Sequence, residues 1–307
     1  MSVTRLLVGY KATDLTPDLL GGEVVVHELD IYHAHAVEKT HPGVTVVCTP
    51  HLPQGPWDEI RFKTGPKLMS GELSLDLLQE IHLLKPRKFA LDFVGKERDR
   101  NDLLNKVKND PDRVRSFAAQ WPASVPNGPK LTFTSFPGCF CHRRQDEGGL
   151  ALAEVVSREL VAQPVSGSRK LLDMGCGCGL VGLLVNSVVK DLSLTMIDSH
   201  TRAVEAARLN ASAQGAQAEV VLADDGIDSL SCEGSFDVFV GNPPYYSDYR
   251  IADVFLQTAR KALRKGGVCY TVVKNDAGLK PVQERYFPSV AVIRRRGYCV
   301  LKSVKGD

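Results

Sequence analysis

The run RKLLDMGCGCGLVGLLV, residues 169 to 185, decides the fold of this chain. Its first part, RKLLDMG (169–175), is apolar and short enough to be a buried strand. Its last part opens LVGLLVNSVV (180–189), which reads as a buried helix. Between them stand Gly175, Gly177 and Gly179, which let the backbone turn tightly and let a ligand approach the helix N-terminus. A strand, a glycine turn and a helix in that order form the opening half of a βαβ unit.

Downstream the same alternation continues. LSLTMID (192–198) is a strand, TRAVEAARLNASAQ (201–214) an amphipathic helix and AEVVLADD (218–225) a strand. FDVFVGN (236–242) is another strand, DVFLQTARKALRKGG (253–267) a helix stopped by glycine, and VCYTVVK (268–274) a strand. SVAVIRRRGYCVLKSV (289–304) reads as two strands joined near Gly297. The class is α/β: a seven-stranded, mostly parallel sheet between helices, with an antiparallel edge hairpin.

Upstream, WPASVPNGPK (121–130) is rich in proline and glycine and reads as a linker. The expected division is a first domain over 1–122, a linker over 123–134 and a second domain over 135–307. The first domain reads as a worn copy of the second. RLLVGY (5–10) sets against KLLDMG (170–175), and VVVHELD (24–30) against LSLTMID. PWDEIRF (56–62) sets against SFDVFVG (235–241), LLQEIHLLKP (77–86) against FLQTARKALRK (255–265), and KFALDFVGK (88–96) against GVCYTVVKN (267–275). The expectation is therefore two Rossmann-like domains in tandem, the N-terminal one degenerate. Val8 stands where the second copy has Asp173, and TGPK (64–67) where it has NPPY, so the first copy is assigned a structural or substrate-holding part.

Gly177, Gly179 and Gly182 also spell G-x-G-x-x-G, the dinucleotide pattern in which a pyrophosphate rests on a helix N-terminus. Asp173 at the end of its strand opposes that reading, since a carboxylate suits a cationic group. S-adenosylmethionine, a sulfonium with an amino-acid tail, fits it better. Asp198 ends the second strand and could accept from ribose hydroxyls; Asp224 and Asp225 end the third, where an adenine amine could bind. Loop solvation and helix capping account for any one of these aspartates, and less well for three successive strand ends on the ligand-binding carboxyl edge.

The fourth strand runs into NPPYY (242–246). Two prolines end ladder pairing and hold the turn rigid. An exocyclic amine on a base is a poor nucleophile because its lone pair is delocalised into the ring. The Asn242 side-chain oxygen and a carbonyl of Pro243 or Pro244 could accept its two N–H bonds, while Tyr245 stacks on the ring.

LLDMGCGCG, Asp198, ADD and NPPY, in this order, resemble a class I S-adenosylmethionine-dependent methyltransferase of the amino-methylating kind. The upstream run FPGCFCHRRQDEGGLALAE (136–154) is similar to the P-G-x-F-S … D-x-G-S segment of ribosomal RNA guanine-N2 methyltransferases of the RsmC and RlmG type. The resemblance departs from that pattern at Cys141, at Gly149 and at Tyr245 with Tyr246. It implies a degenerate N-terminal copy, a place near the cofactor for Phe140 and Asp146, and guanine-N2 of small-subunit (16S) ribosomal RNA, free or in the subunit, as substrate. Adenine-N6 and protein glutamine-N5 methylation use the same NPPY corner and stay open. So does a noncatalytic RNA-binding or assembly factor that kept the fold.

Net charge is +2, from 38 basic and 36 acidic residues, so any nucleic-acid footprint must be local. Arg294 and Arg296 are the candidates, sharing one face if the run is a strand; a solvated strand end accounts for them equally well. No window suggests a membrane span or a signal peptide, and the eight cysteines read as reduced thiols, so a cytoplasmic protein is expected. Cys139 with Cys141, and Cys176 with Cys178, lack the spacing of metal ligands and read as small residues in tight turns.

Overall fold

The computed structural model describes residues 3–108, 115–163, 165, 167–224, 233–244 and 249–306. The chain divides into two compact units. One comprises Met1–Ala118, Phe136–Cys139 and His200–Arg202; the other comprises Ala119–Ser135, Phe140–Ser199 and Ala203–Asp307.

The first unit contains β1 (Thr4–Val8), β2 (Glu23–Glu28), α1 (Ile31–Thr40), β3 (Thr45–Cys48) and β4 (Glu59–Thr64), then α2 (Gly71–Leu84), β5 (Lys88–Phe93) and α3 (Glu97–Lys108). Its sheet is parallel throughout, in the order β3-β2-β1-β4-β5. Strand alternation sends Leu6 and Val8 to one face, where they pack with Ile60, Phe62 and the α2 residues Leu73, Leu77 and Ile81. Leu7 turns to the other face, with Val26 and the α1 residue Val37. Side-chain caps start both helices: Asp30 accepts from the Tyr32 N–H at 2.9 Å and Ser70 from the Leu73 N–H at 3.1 Å.

The second unit opens with β6 (Ala119–Ala123) and β7 (Leu131–Ser135), an antiparallel pair. This corrects the reading of 123–134 as a linker and of residues 119–122 as part of the first domain. The Trp121 and Phe133 rings stack at 5.2 Å, and that apolar contact closes the proline- and glycine-rich stretch into a hairpin.

There follow α4 (Glu147–Ala162), β8 (Arg169–Met174), α5 (Leu180–Asn186), β9 (Leu192–Asp198), α6 (Thr201–Ala213), β10 (Ala218–Leu222) and β11 (Phe236–Gly241). The unit ends with α7 (Arg250–Ala262), β12 (Leu263–Val273), α8 (Asp276–Glu284), β13 (Ala291–Arg295) and β14 (Tyr298–Val304). The sheet order is β10-β9-β8-β11-β12-β14-β13, with β13 and β14 antiparallel, as the sequence pattern predicted. Leu172 and Phe239 of the sheet pack against Phe255, Leu256 and Ala259 of α7.

Three local differences have physical causes. Helix α7 ends at Ala262, not at the glycines: Leu263 is wholly buried and already extended, paired with Phe236. Gly266 and Gly267 instead fall at the irregularity in register that follows. Helix α4 is buried all round from Leu150 to Val156, so it lacks the one-sided period by which helices are read. At the last hairpin Arg296 and Gly297 both have positive φ, 50° and 72°, which makes a two-residue turn matched to strand twist. Arg296 is therefore a turn residue, and the alternation argument that paired it with Arg294 fails.

Candidate active site

β8 carries Asp173, but beneath the glycine loop, not at its mouth. The carboxylate is 2% exposed and its Oδ2 accepts from the Gly182 N–H at 2.9 Å, in the first turn of α5. Asp173 thus does for α5 what Gly179, its N-cap residue, has no side chain to do. Burial pushes its pKa up to about 7, the nearby Asp198 charge adds to this, and the Gly182 bond works against it.

The loop between β8 and α5 is tied to β9. The Cys176 N–H donates to the Ile197 carbonyl at 3.0 Å and the Gly177 N–H to Asp198 Oδ2 at 2.8 Å. A Cβ at Gly175 would meet the Phe255 ring at 2.7 Å, whereas at Gly177 it would meet nothing within 4 Å. The crest of the loop therefore borders open space beside an acidic strand end. Among the described residues this donor set fits an S-adenosylmethionine-type ligand: hydroxyls for Asp198, and backbone at Gly177 that any ligand can approach closely. Asp224 follows β10, half-buried; Asp225 lies outside the described residues.

β11 ends at Gly241 and delivers Asn242, half-buried, then Pro243, buried, and Pro244, half-buried. Tyr245 lies outside the described residues. The Asn242 Nδ2 donates to Asp146 Oδ2 at 2.6 Å, and Asp146 Oδ1 accepts from the Gly148 N–H at 3.0 Å as the N-cap of α4. Burial raises the pKa of Asp146, against bonds from Gly149, Gly148 and Asn242. Phe140 stands 68% exposed, next to Cys141, whose φ of 54° is left-handed.

Two contributors carried no sequence signal. Asn210, buried inside the helical pattern of α6, donates through Nδ2 to the Cys178 carbonyl at 2.9 Å and to the Thr134 carbonyl at 2.8 Å. It thereby fixes the glycine loop to β7. Glu154 of α4, with its side chain 4% exposed, pairs with Arg295 and with Arg296 at 2.8 Å, and Glu147 takes Arg296 at 2.9 Å. Arg294 approaches Asp276 at 3.8 Å. Among the described residues no group of three His, Cys, Asp or Glu could hold a metal.

The family model of the methyltransferase small domain matches residues 130–302. The chain is 31% identical over 203 residues to the ribosomal RNA small subunit methyltransferase C of Pseudomonas syringae pv. tomato, covering 64% of this chain and 55% of that protein. It is 33% identical over 187 residues to the protein of the same name from Pseudomonas aeruginosa, covering 60% and 53%. The chain spans about half the length of these curated relatives. In fold it matches the solved T. thermophilus 16S rRNA N2 methyltransferase RsmC in complex with AdoMet and guanosine, with a TM-score of 0.82 over 98% of this chain and 88% of that one, at 19% identity.

Proposed function

The chain belongs to the methyltransferase small domain family, and on that basis we propose that it methylates an exocyclic amine of RNA, N2 of guanine in small-subunit ribosomal RNA, with S-adenosylmethionine as methyl donor. The observation that carries this reading is the common edge. β8, β9 and β11 bring the glycine loop, Asp198 and Asn242 to the carboxyl side of one parallel sheet, where such sheets bind ligands. The names of the relatives and the guanosine held by the T. thermophilus enzyme favour guanine over adenine or glutamine.

Bound in the site, S-adenosylmethionine would supply an electrophilic methyl group. The chain's own residues hold and orient. Asp198 and the loop backbone would grip the cofactor, Asp173 keeps the loop on α5, and Asp224, together with Asp225 outside the described residues, is assigned to the adenine amine. Asn242 Oδ1 accepts one proton of the target amine and a carbonyl of Pro243 or Pro244 the other, which aims the nitrogen lone pair. Tyr245 stacks on a base taken out of its stack. Proline rigidity keeps these acceptors in place without reorganisation.

The two strand orders support a duplication with a division of labour. The first sheet runs β3-β2-β1-β4-β5 and the first five strands of the second run in the equivalent order, yet the first has Val8 and TGPK where the second has Asp173 and NPPY. We assign the first unit to holding RNA as a degenerate duplicate. Incubation of the protein with small-subunit ribosomal RNA, free and in subunits, followed by nucleoside analysis, tests the activity. N2-methylguanosine is expected. N6-methyladenosine in its place would move the target, and no modified nucleoside would remove the reading. Asn242→Ala should lower turnover about a hundredfold, the scale of one lost preorganised hydrogen-bonding group.

A further inference from the structure

We propose that Asp146 is a positioning residue for the amine site: by accepting from Asn242 Nδ2 it sets the carboxamide so that Oδ1 faces the substrate. The inference rests on the methyltransferase reading above. A carboxamide is planar and two-sided, with a donor end and an acceptor end. Catalysis at an amine needs the acceptor end, and Pro243 fixes only the backbone that follows Asn242, not the rotation of its side-chain amide. Something must choose between the two orientations.

The choice is made by a carboxylate that has nowhere else to turn. Asp146 is the N-cap of α4, a helix buried along most of its length, so its backbone is anchored. Its Oδ1 is engaged by the Gly148 N–H at 3.0 Å, which leaves Oδ2 directed at Asn242 at 2.6 Å. An ionised carboxylate only accepts, so the end of Asn242 that faces it must be the NH2 group, and the oxygen is turned the other way. The opposite rotamer would set two acceptors against each other. Space around the carboxylate is tight as well. A Cβ at Gly149 would lie 2.7 Å from Oδ2 and one at Gly148 would lie 3.3 Å from Oδ1, so glycines suit the two positions that follow Glu147.

Asp146→Asn and Asp146→Ser separate this role from capping. Both residues cap helices well, so the fold should survive, as thermal unfolding will show. Asparagine has one acceptor oxygen to divide among the Gly148 and Gly149 N–H groups and Asn242, and serine, one bond shorter, does not reach Asn242. Turnover is expected to fall about tenfold to a hundredfold in each variant, less than the roughly hundredfold to thousandfold for losing a group that touches the reacting atoms, because Asp146 acts through Asn242. The KM for RNA and the calorimetric affinity for S-adenosylmethionine should hardly move. The double variant Asp146→Asn/Asn242→Ala should be no slower than Asn242→Ala alone, because the two residues act as one unit. Wild-type turnover in Asp146→Asn, a further drop in the double variant, or a loss of cofactor affinity equal to the loss of turnover would each overturn the proposal. A readout without turnover keeps it apart from the fate of the methyltransferase reading. In NMR spectra of the ligand-free protein, the side-chain amide assigned through Asn242→Ala should show one downfield-shifted proton. Asp146→Ser should return that proton to the ordinary position; an amide unmoved by Asp146→Ser shows that the bond is absent.

Discussion

Asp173 and Asp198 stand at the ends of adjacent strands, yet burial separates their chemistry. Asp173 is sealed under the loop with its pKa near 7, and Asp198 receives the Gly177 N–H at the loop's crest. The sign of the pH effect follows. Folded, Asp173 keeps its proton up to about pH 7; unfolded, it releases it near 3.8. Between those values the folded state binds the extra proton, so stability due to this group is present at low pH and is lost as pH rises through about 7. Asp173→Asn can still accept from Gly182 and has no proton to lose. Its denaturation midpoint should therefore change less than that of the parent between about pH 4 and pH 7.5. An unchanged pH slope in the variant shows that other groups carry the effect. At the neighbouring strand end, Asp198→Ala should weaken S-adenosylmethionine binding in calorimetry; an unaltered affinity removes Asp198 from the site.

At the scale of elements, α4 is the organising piece. Its N-cap orients Asn242, its middle fills the core, and its Glu154 holds the turn of the last hairpin through Arg295 and Arg296. Glu154→Ala should cost about 1.5–3 kcal/mol of stability, the range for hydrogen bonds to a charged group, moderated because both arginines reach water. Chemical denaturation measures it; a change within a few tenths of a kcal/mol shows that the pairs contribute nothing. The same pairing bears on RNA. Arg296 is already shared between Glu154 and Glu147, so replacing it should leave the salt slope of RNA binding almost unchanged. A shallower slope in Arg296→Ala restores it to the footprint. At the other end of the unit, Trp121 on Phe133 shows how one stacked pair overrides a composition that reads as linker.

A parallel sheet and a mostly parallel one, whose first five strands follow the equivalent order, lie in one chain, and only the second carries a glycine loop and an Asn-Pro-Pro corner. Calorimetric titration of the intact protein should accordingly give one S-adenosylmethionine per chain, and Asp198→Ala should weaken that single event. A stoichiometry of two overturns the assignment of the first unit as a cofactor-free duplicate. The overall charge of +2 gives the molecule no global attraction to RNA, so the RNA affinity proposed above would have to come from local groups and fall with salt.

Some of this was legible in the sequence because it depends on neighbours along the chain. Short apolar runs and glycine or proline stops marked β8, β9, β11 and the last hairpin, and the strand-end positions of Asp198 and Asn242 followed from the ends of those runs. Tertiary structure decided what depends on residues far apart. Helix α4 has no amphipathic period because it is enclosed on all sides, and α7 stops where the sheet claims Leu263. Asp146 and Asn242 are 96 residues apart, and only the packing of α4 beside the end of β11 makes them partners. Local pattern records which backbone conformation a segment prefers; the direction of a side-chain amide is set by whatever charge the fold brings next to it.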